Sequence, residues 1–347
     1  MKNVFNISFA GRLLFLLAAL GLMEACKKND SSTPTASGIR PDSAGANAVL
    51  ALQGSGLGGL RSIVFDNGNV PALFNSNFNT SSAIVFRVPD TALGGKQNII
   101  FTFASGAVLK EPFNVIAVPL VSAASDYSYT AGQQITLTGN NLEAVNSVSL
   151  SGTTAKPTIV SATHKSVVIT MPAGTTASST KISVSNPYGS ATLAQEVVNA
   201  DASFGFFKDN YLNGEQDASW GNAGFVSTDQ HISGAASYGK AYANGQWHQM
   251  GFGWNTISTT GYQYISFWMK GGTVDYDIWL MTDKTTGGFG NFVNANHITV
   301  PAKVWTYFKL PLTTLDLGTG FQQLGWRMQG PNAGDETLYL DDVFFQK

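Results

Sequence analysis

Two stretches of this chain repeat one another at an offset of 85 residues that shortens to 83 along the copy. Leu52-Gln53-Gly54-Ser55-Gly56-Leu57 is answered by Leu137-Thr138-Gly139-Asn140-Asn141-Leu142, and Ser62-Ile63-Val64-Phe65 by Ser147-Val148-Ser149-Leu150. Further on, Ala83-Ile84-Val85-Phe86-Arg87-Val88-Pro89 is answered by Ser166-Val167-Val168-Ile169-Thr170-Met171-Pro172, and the runs 98–106 and 181–189 match again. Each run is short, alternating, rich in β-branched residues and bounded by Gly, Asn or Pro. Such runs are strands: a period of two puts one set of side chains on a buried face, and the turn residues reverse the chain. The spacing fits a β-sandwich of about a hundred residues or fewer in each copy.

The N-terminus reads differently. Lys2 and Arg12 precede an apolar run, 13–23, that is too short for a bilayer span of about 20 residues but right for a signal-peptide core. The run stops at Met23-Glu24-Ala25-Cys26, and Cys26 is the only cysteine. It has no internal disulfide partner, so in an exported protein it is free, shared with a partner or modified. From Lys27 to about Asp42 the chain is rich in Ser, Thr, Pro, Gly and Ala and reads as a flexible tether. Charged residues are 12% of the chain, against about 25% in an average globular domain, and the net charge is −2 with no basic block. That balance argues against nucleic acid as a partner.

All seven tryptophans follow residue 200, with eight of the eleven tyrosines and twelve of the twenty-two phenylalanines. Alternation marks strands at 262–269, 276–282, 304–310, 324–329 and 338–345, so a β-jelly roll is expected over 204–347. Period two turns Ile265, Phe267 and Met269 inward and leaves Tyr264, Ser266 and Trp268 outside. By the same rule Tyr276, Ile278 and Leu280 go inward and Asp275, Asp277, Trp279 and Met281 outward. Leu324, Trp326 and Met328 go inward, Arg327 and Gln329 outward.

An outer face with Trp268, Trp279, Asp277, Arg327 and Gln329 joins two chemistries. Rings stack on the C–H face of a sugar, and the polar groups bond its paired hydroxyls. Arg327 is the only arginine after residue 200; a salt bridge to Asp277 is compatible with holding a ligand. Trp220, before Gly221-Asn222, and Trp247-His248-Gln249, after Asn244-Gly245, sit at turns, at the border of the cleft or in the core. Trp254 and Trp305 read as core or rim. His248 has no second His or Cys at ligand spacing and is counted with the sugar contacts rather than with a metal.

Several of these strings resemble known families. The second repeat, through Ala131-Gly132-Gln133-Gln134-Ile135-Thr136-Leu137-Thr138-Gly139-Asn140-Asn141-Leu142 and Val184-Ser185-Asn186-Pro187-Tyr188-Gly189, resembles an IPT/TIG immunoglobulin-like domain; the first is a more degenerate copy. Ala25-Cys26 resembles a bacterial lipobox, and Lys27-Lys28-Asn29-Asp30 the start of a Bacteroidota surface lipoprotein, which implies lipidation of Cys26 and an outer-membrane, cell-surface address. Tyr264-Ile265-Ser266-Phe267-Trp268-Met269-Lys270-Gly271-Gly272, His231-Ile232-Ser233-Gly234-Ala235-Ala236-Ser237 and Leu338-Tyr339-Leu340-Asp341-Asp342-Val343-Phe344 are similar to carbohydrate-binding jelly-roll modules of the galactose-binding-like type.

The resemblance implies an all-β chain: signal peptide 1–25, tether 26–42, Ig-like (IPT/TIG) sandwiches at 43–118 and 119–199, and a carbohydrate-binding β-jelly roll at 204–347. It implies a polysaccharide ligand, with a surface glycosidase and a TonB-dependent transporter as partners. It also implies a structural calcium ion on Asp209, Asp341 and Asp342, unless the Asp-Asp pair merely caps a strand.

Catalysis fits less well. A glycosidase typically sets two carboxylates across a cleft. The C-terminal region has two glutamates, Glu215 and Glu336, both in apparent turns, and Asp275 and Asp277 share one strand face. A Gly-x-Ser-x-Gly elbow is missing from the sequence. The reading is therefore a non-enzymatic surface polysaccharide-binding lipoprotein. A protein-binding adhesin or structural surface protein is the alternative, and a jelly-roll glycosidase or lyase stands behind it.

Overall fold

The computed structural model describes residues 33–287, 289, 296–315, 317, 320–328 and 334–347; Cys26 and Gln329 lie outside them. The described chain is built of strands, with single 3-10 turns at Ser76–Phe78, Ala200–Ala202 and Leu312–Thr314.

Gly54 and Gly139 explain the repeated motif. A Cβ on Gly54 would collide with the Thr35 carbonyl, and one on Gly139 with the Leu120 carbonyl, so a glycine is needed where a neighbouring strand crosses at a bulge. Two residues on, Gly56 and Asn141 turn the chain with φ of 66° and 57°, the left-handed region. The pairing is then the same in both copies. Leu50, Ala51 and Leu52 stand opposite Phe86, Val85 and Ile84, as Ile135, Thr136 and Leu137 stand opposite Ile169, Val168 and Val167.

The chain divides into two units, one ending at Ala117 and one beginning at Val118. In the first, the sheet of Thr35–Arg40, Val49–Ser55 and Ala83–Arg87 closes over a five-stranded sheet that includes Leu60–Phe65, Gly95–Phe103 and Val108–Val115. Leu50, Leu52, Ile63, Phe65, Ile84 and Phe101 fill the space between them. Thr35–Arg40 corrects the expectation of a tether reaching residue 42. Its small residues look disordered in sequence, but Ile39 is 6% exposed in the core and the strand pairs with Val49–Ser55.

The second unit holds two sandwiches. In the Ig-like one, Leu120–Ala124, Gln134–Asn140, Ser166–Thr170 and Thr158–Ala162 form one sheet and Ser147–Leu150, Ile182–Asn186 and Gly189–Thr192 the facing one. The other is the aromatic module. One of its sheets, called here the open sheet, orders Gln216–Asp217, Gln249–Ser258, Gly320–Met328, Tyr276–Thr282 and Asn296–Val300. The other, the docked sheet, is centred on Glu336–Gln346, which pairs with Phe204–Lys208, Ser237–Tyr242 and Tyr264–Lys270; the last pairs in turn with Trp305–Pro311. Rings interlock between the sheets: fully buried Trp326 meets Phe252 at 5.7 Å and Phe267 at 5.3 Å, both nearly perpendicular.

The docked sheet turns part of its outer face to the Ig-like sandwich. Trp268 lies 4.9 Å from Tyr127 and 5.4 Å from Tyr307, in one apolar cluster with that sandwich's core, and Trp305 packs against the same cluster. Polar contacts close the seam. Glu196 accepts from Tyr307 Oη at 2.8 Å and pairs with Lys309 at 2.9 Å; Ser128 Oγ donates to Asp342 at 2.6 Å; the Tyr127 amide donates to Ser233 Oγ at 2.8 Å. Burial alone would raise the Glu196 carboxyl, but the bonds from Lys309 and Tyr307 outweigh it and hold it below its ordinary value.

Candidate functional site

One row of residues crosses the open sheet. Trp220 bridges Gln249; Gln249 stands opposite Arg327, Arg327 opposite Trp279, and Trp279 opposite His297. These are outward positions, because Met250, Trp326 and Leu280, their neighbours in sequence, belong to the core. The Arg327 guanidinium lies 4.9 Å from the Trp220 ring and 5.8 Å from the Trp247 ring, and Trp279 stacks on His297 at 5.4 Å with 28° between planes. Burial pushes the Arg327 guanidinium below its ordinary value. Held against two rings, the cation has a fixed place on this face.

A hollow of about 460 Å³ opens beside the row, lined by Trp220, Gln249, Trp254, Phe289, Gln323 and Arg327 together with Ala218 and Ser219. Beneath the lining side chains the outward positions on neighbouring strands are buried glycines: Gly251 pairs with Gly325, and Gly253 with Gln323. A Cβ on Gly325 would strike the Gln249 amide, and one on Gly253 the Gln322 carbonyl. Trp220 and Trp254, which line the hollow, are 53% and 59% exposed, and Trp247, beside Arg327, is 41% exposed. The loop that carries Trp220 is fastened from below. Asp217 accepts from the Ser219 and Gly224 amides at 3.0 and 2.9 Å and from Tyr238 Oη at 2.6 Å. Burial alone would raise the Asp217 carboxyl, yet these bonds hold it below its usual range.

Of the residues expected in the site, the structure brings Trp220, Trp247, Trp279 and Arg327 to one face. Asp277 shares that face two residues along and accepts from Thr299 Oγ1 at 2.7 Å rather than reaching Arg327 as an ion-pair partner in the hollow. Trp268 is a correction. It does point away from the module's core, but its strand belongs to the docked sheet, and at 8% exposure it is sealed under the Ig-like sandwich. His248 is a second correction: 6% exposed, its Nδ1 3.0 Å from the Ala241 carbonyl, with Gly221 against its ring, it fastens two turns together.

The carboxylates expected to hold calcium form a third correction. Asp209 accepts from the Ala235 and Ala236 amides, Asp341 from the Ile232 and Ser233 amides, and Asp342 from Ser128. Among the described residues no three His, Cys, Asp or Glu side chains are grouped for a metal ion. Asp341 Oδ1 and Asp342 Oδ2 are buried without a partner, but two oxygens are few for an ion that takes six to eight. Burial, and for Asp341 the adjacent carboxylate, raises both acids instead and favours their neutral forms.

Sequence reasoning missed Trp254, Gln249, Gln323 and Phe289. Trp254 escaped because the strand Gln249–Ser258 bulges between Gly253 and Ile257, so Trp254, Asn255 and Thr256 are exposed in succession and parity fails. The polar pair Asn255-Thr256 after two glycines is the signal that marks the break.

Residues 119–196 match the IPT/TIG domain family. No curated protein sequence gives a significant match. Among solved structures, the chain is similar to the surface glycan-binding protein PbSGBP-B from Prevotella bryantii, with 16% identity, 91% of this chain and 99% of that one covered, and a TM-score of 0.45. It is also similar to SGBP-B from a complex xyloglucan utilization locus in Bacteroides uniformis, with 16% identity, coverage of 90% and 99%, and a TM-score of 0.39. For the SGBP-B of the Bacteroides ovatus mixed-linkage glucan utilization locus, solved with a mixed-linkage heptasaccharide, the values are 15%, 87%, 72% and 0.27. Likeness at this level is no guide to function; the cleft is.

Proposed function

We propose that this chain is a non-catalytic, cell-surface glycan-binding protein whose open sheet captures a polysaccharide. The observation that carries the reading is the outward row of exposed Trp220, buried Gln249 and half-buried Arg327 and Trp279 on the open sheet, with Trp247 and Trp254 also exposed. Apolar ring faces next to amides and a guanidinium suit a ligand that alternates C–H faces and hydroxyls. Among the described residues the hollow's lining contains no carboxylate pair of the kind a glycosidase uses, which supports binding over hydrolysis. Of the two glutamates of the module, Glu215 is buried and Glu336 is spent on Thr273 and Tyr276.

The test is calorimetry and affinity electrophoresis of the wild type, Trp254→Ala and Arg327→Ala against a panel of neutral polysaccharides that includes xyloglucan and mixed-linkage glucan. Binding weakened in both variants supports the reading, and binding undiminished in both removes it. The Ig-like sandwiches act in this reading as a stalk on a lipid-modified Cys26 in the outer membrane, presenting glycan to a surface glycosidase and a TonB-dependent transporter. Cys26→Ala is expected to abolish labelling by a fatty-acid analogue and to release the protein from the membrane. Equal labelling of both forms would end the lipoprotein reading.

A further inference from the structure

The docked sheet is not covered to its end. Beyond the row buried under the Ig-like sandwich lies another that crosses five strands: Phe225 opposite Gly239, Gly239 opposite Tyr339, Tyr339 opposite Lys270, and Lys270 opposite Trp305. All face away from the module's core, since Tyr238, Leu338, Leu340 and Met269 beside them are in it. Phe225 is 43% exposed, and its ring meets Tyr339 edge-on at 6.3 Å; Trp305 follows at 6.4 Å from Tyr339. Gly239 lets the first two rings close over the backbone, because a Cβ there would strike both.

This ring row runs into a hollow of about 540 Å³, within the size range of ligand sites. Like the open cleft, the hollow sets aromatic side chains beside polar ones. Its floor is made of small residues, Ala241, Gly272 and Thr337; Tyr339 is the aromatic wall; Lys303 and Asp335 stand on the rim. Glu336 lies beneath with its carboxylate committed to the Thr273 amide at 2.6 Å and to Tyr276 Oη at 3.3 Å. With one cation and one anion on the rim, neither sign of ligand charge is favoured, while ring faces and hydroxyl-bonding groups both are.

We propose that the Phe225–Tyr339 ring row and the hollow beside it form a second glycan-binding site, which takes a neutral oligosaccharide segment and gives the module two holds on one polymer. This rests on the open cleft being a glycan site as well, because the two together give the expected avidity.

The experiment uses the full chain and a panel of neutral oligosaccharides: a mixed-linkage heptasaccharide, a xylogluco-oligosaccharide and mannohexaose. Calorimetry on the wild type is expected to give two sites for an oligosaccharide that binds. Phe225→Ala with Tyr339→Ala should leave one, and so should Trp254→Ala with Arg327→Ala. Affinity for the matching polymer should fall about tenfold or more in either double variant. Should loss of two rings unfold the module, Ala241→Phe fills the hollow from its floor and is expected to remove the same site at an unchanged melting temperature. A wild-type stoichiometry of one that the open-cleft variants abolish would overturn the second site and leave the first standing. Absence of binding by the wild type to the whole panel and to the polymers would overturn both.

Discussion

On the module's open sheet, Trp220, Trp247 and Trp254 stand 53%, 41% and 59% exposed, while on the docked sheet Trp268 is 8% exposed beneath Tyr127. Both sets occupy positions that point away from the same core. What separates them is the company they keep. Around the exposed rings the side chains are the Gln249 and Gln323 amides and the Arg327 guanidinium, a polar surface that another protein core would fill poorly. Around Trp268 the neighbours are Tyr307, Trp305 and the Glu196–Lys309 pair, which mesh with the apolar edge of the Ig-like sandwich. An outward ring is a ligand contact only where the fold leaves it uncovered and gives it polar neighbours.

The largest effect is expected where that comparison is broken from the docked side. Trp268→Ala removes a buried ring from a shared cluster and should destabilise the second unit by about 3–5 kcal/mol, read as a lower melting temperature, while glycan affinity of the folded fraction stays unchanged. The fragment 204–347 exposes the same surface and should melt below a fragment 118–347. Equal stability of the two fragments would mean that the seam contributes nothing.

On the open sheet the expected signature is reversed. Trp254→Ala or Arg327→Ala should weaken glycan binding by about 1–3 kcal/mol, the scale of a stacking ring or a charged hydrogen-bond donor, and shift stability by about 0.5 kcal/mol or less. Gly325→Ala sharpens the point, because its methyl group displaces the Gln249 amide that lines the hollow rather than removing a ring; it should cost affinity with Trp220, Trp247 and Trp254 in place. If Trp254→Ala instead melts far below wild type, that ring is structural and the two faces are alike.

Much of this was legible before the structure. Parity placed Ile265, Phe267, Met269, Ile278, Leu280, Leu324, Trp326 and Met328 in the core, where they are. It works because one buried face is enough to fix a strand's phase. Parity says nothing of which sheet a strand joins or what lies over it, so Trp268 was assigned to the wrong face. It fails outright at a bulge, which hid Trp254. Thr35–Arg40 was lost to composition, because small residues mark a tether and a strand at a close crossing equally well. The places of His248, Asp209, Asp341 and Asp342 are fixed by hydrogen bonds to groups on other turns and strands, the Ala241 carbonyl, the amides of 232–236 and the Ser128 hydroxyl, which no local pattern encodes.

The smallest effect concerns the acids at the docked face. Burial raises the Asp342 carboxyl to about 6 and, with the neighbouring carboxylate, Asp341 to about 8, from an ordinary 3.8. The folded protein therefore holds protons that the unfolded chain gives up, and this contribution to stability is present in full below about pH 4 and is lost as the pH rises through 6 and 8. Glu196 and Asp217, whose carboxyls are lowered, act in the opposite direction and only in acid, below the interval from pH 5 to pH 8. Asp341→Asn keeps an oxygen for the Ile232 and Ser233 amides and removes the charge. It should raise the melting temperature at pH 8 by roughly 2–4 °C, the equivalent of about 1 kcal/mol, and flatten the decline of the wild type between pH 5 and pH 8. Among the described residues the open cleft holds no such pair, so glycan affinity should be level across the same interval. A wild-type melting temperature that climbs from pH 5 to pH 8 would show that both carboxylates are ionised and satisfied at the seam.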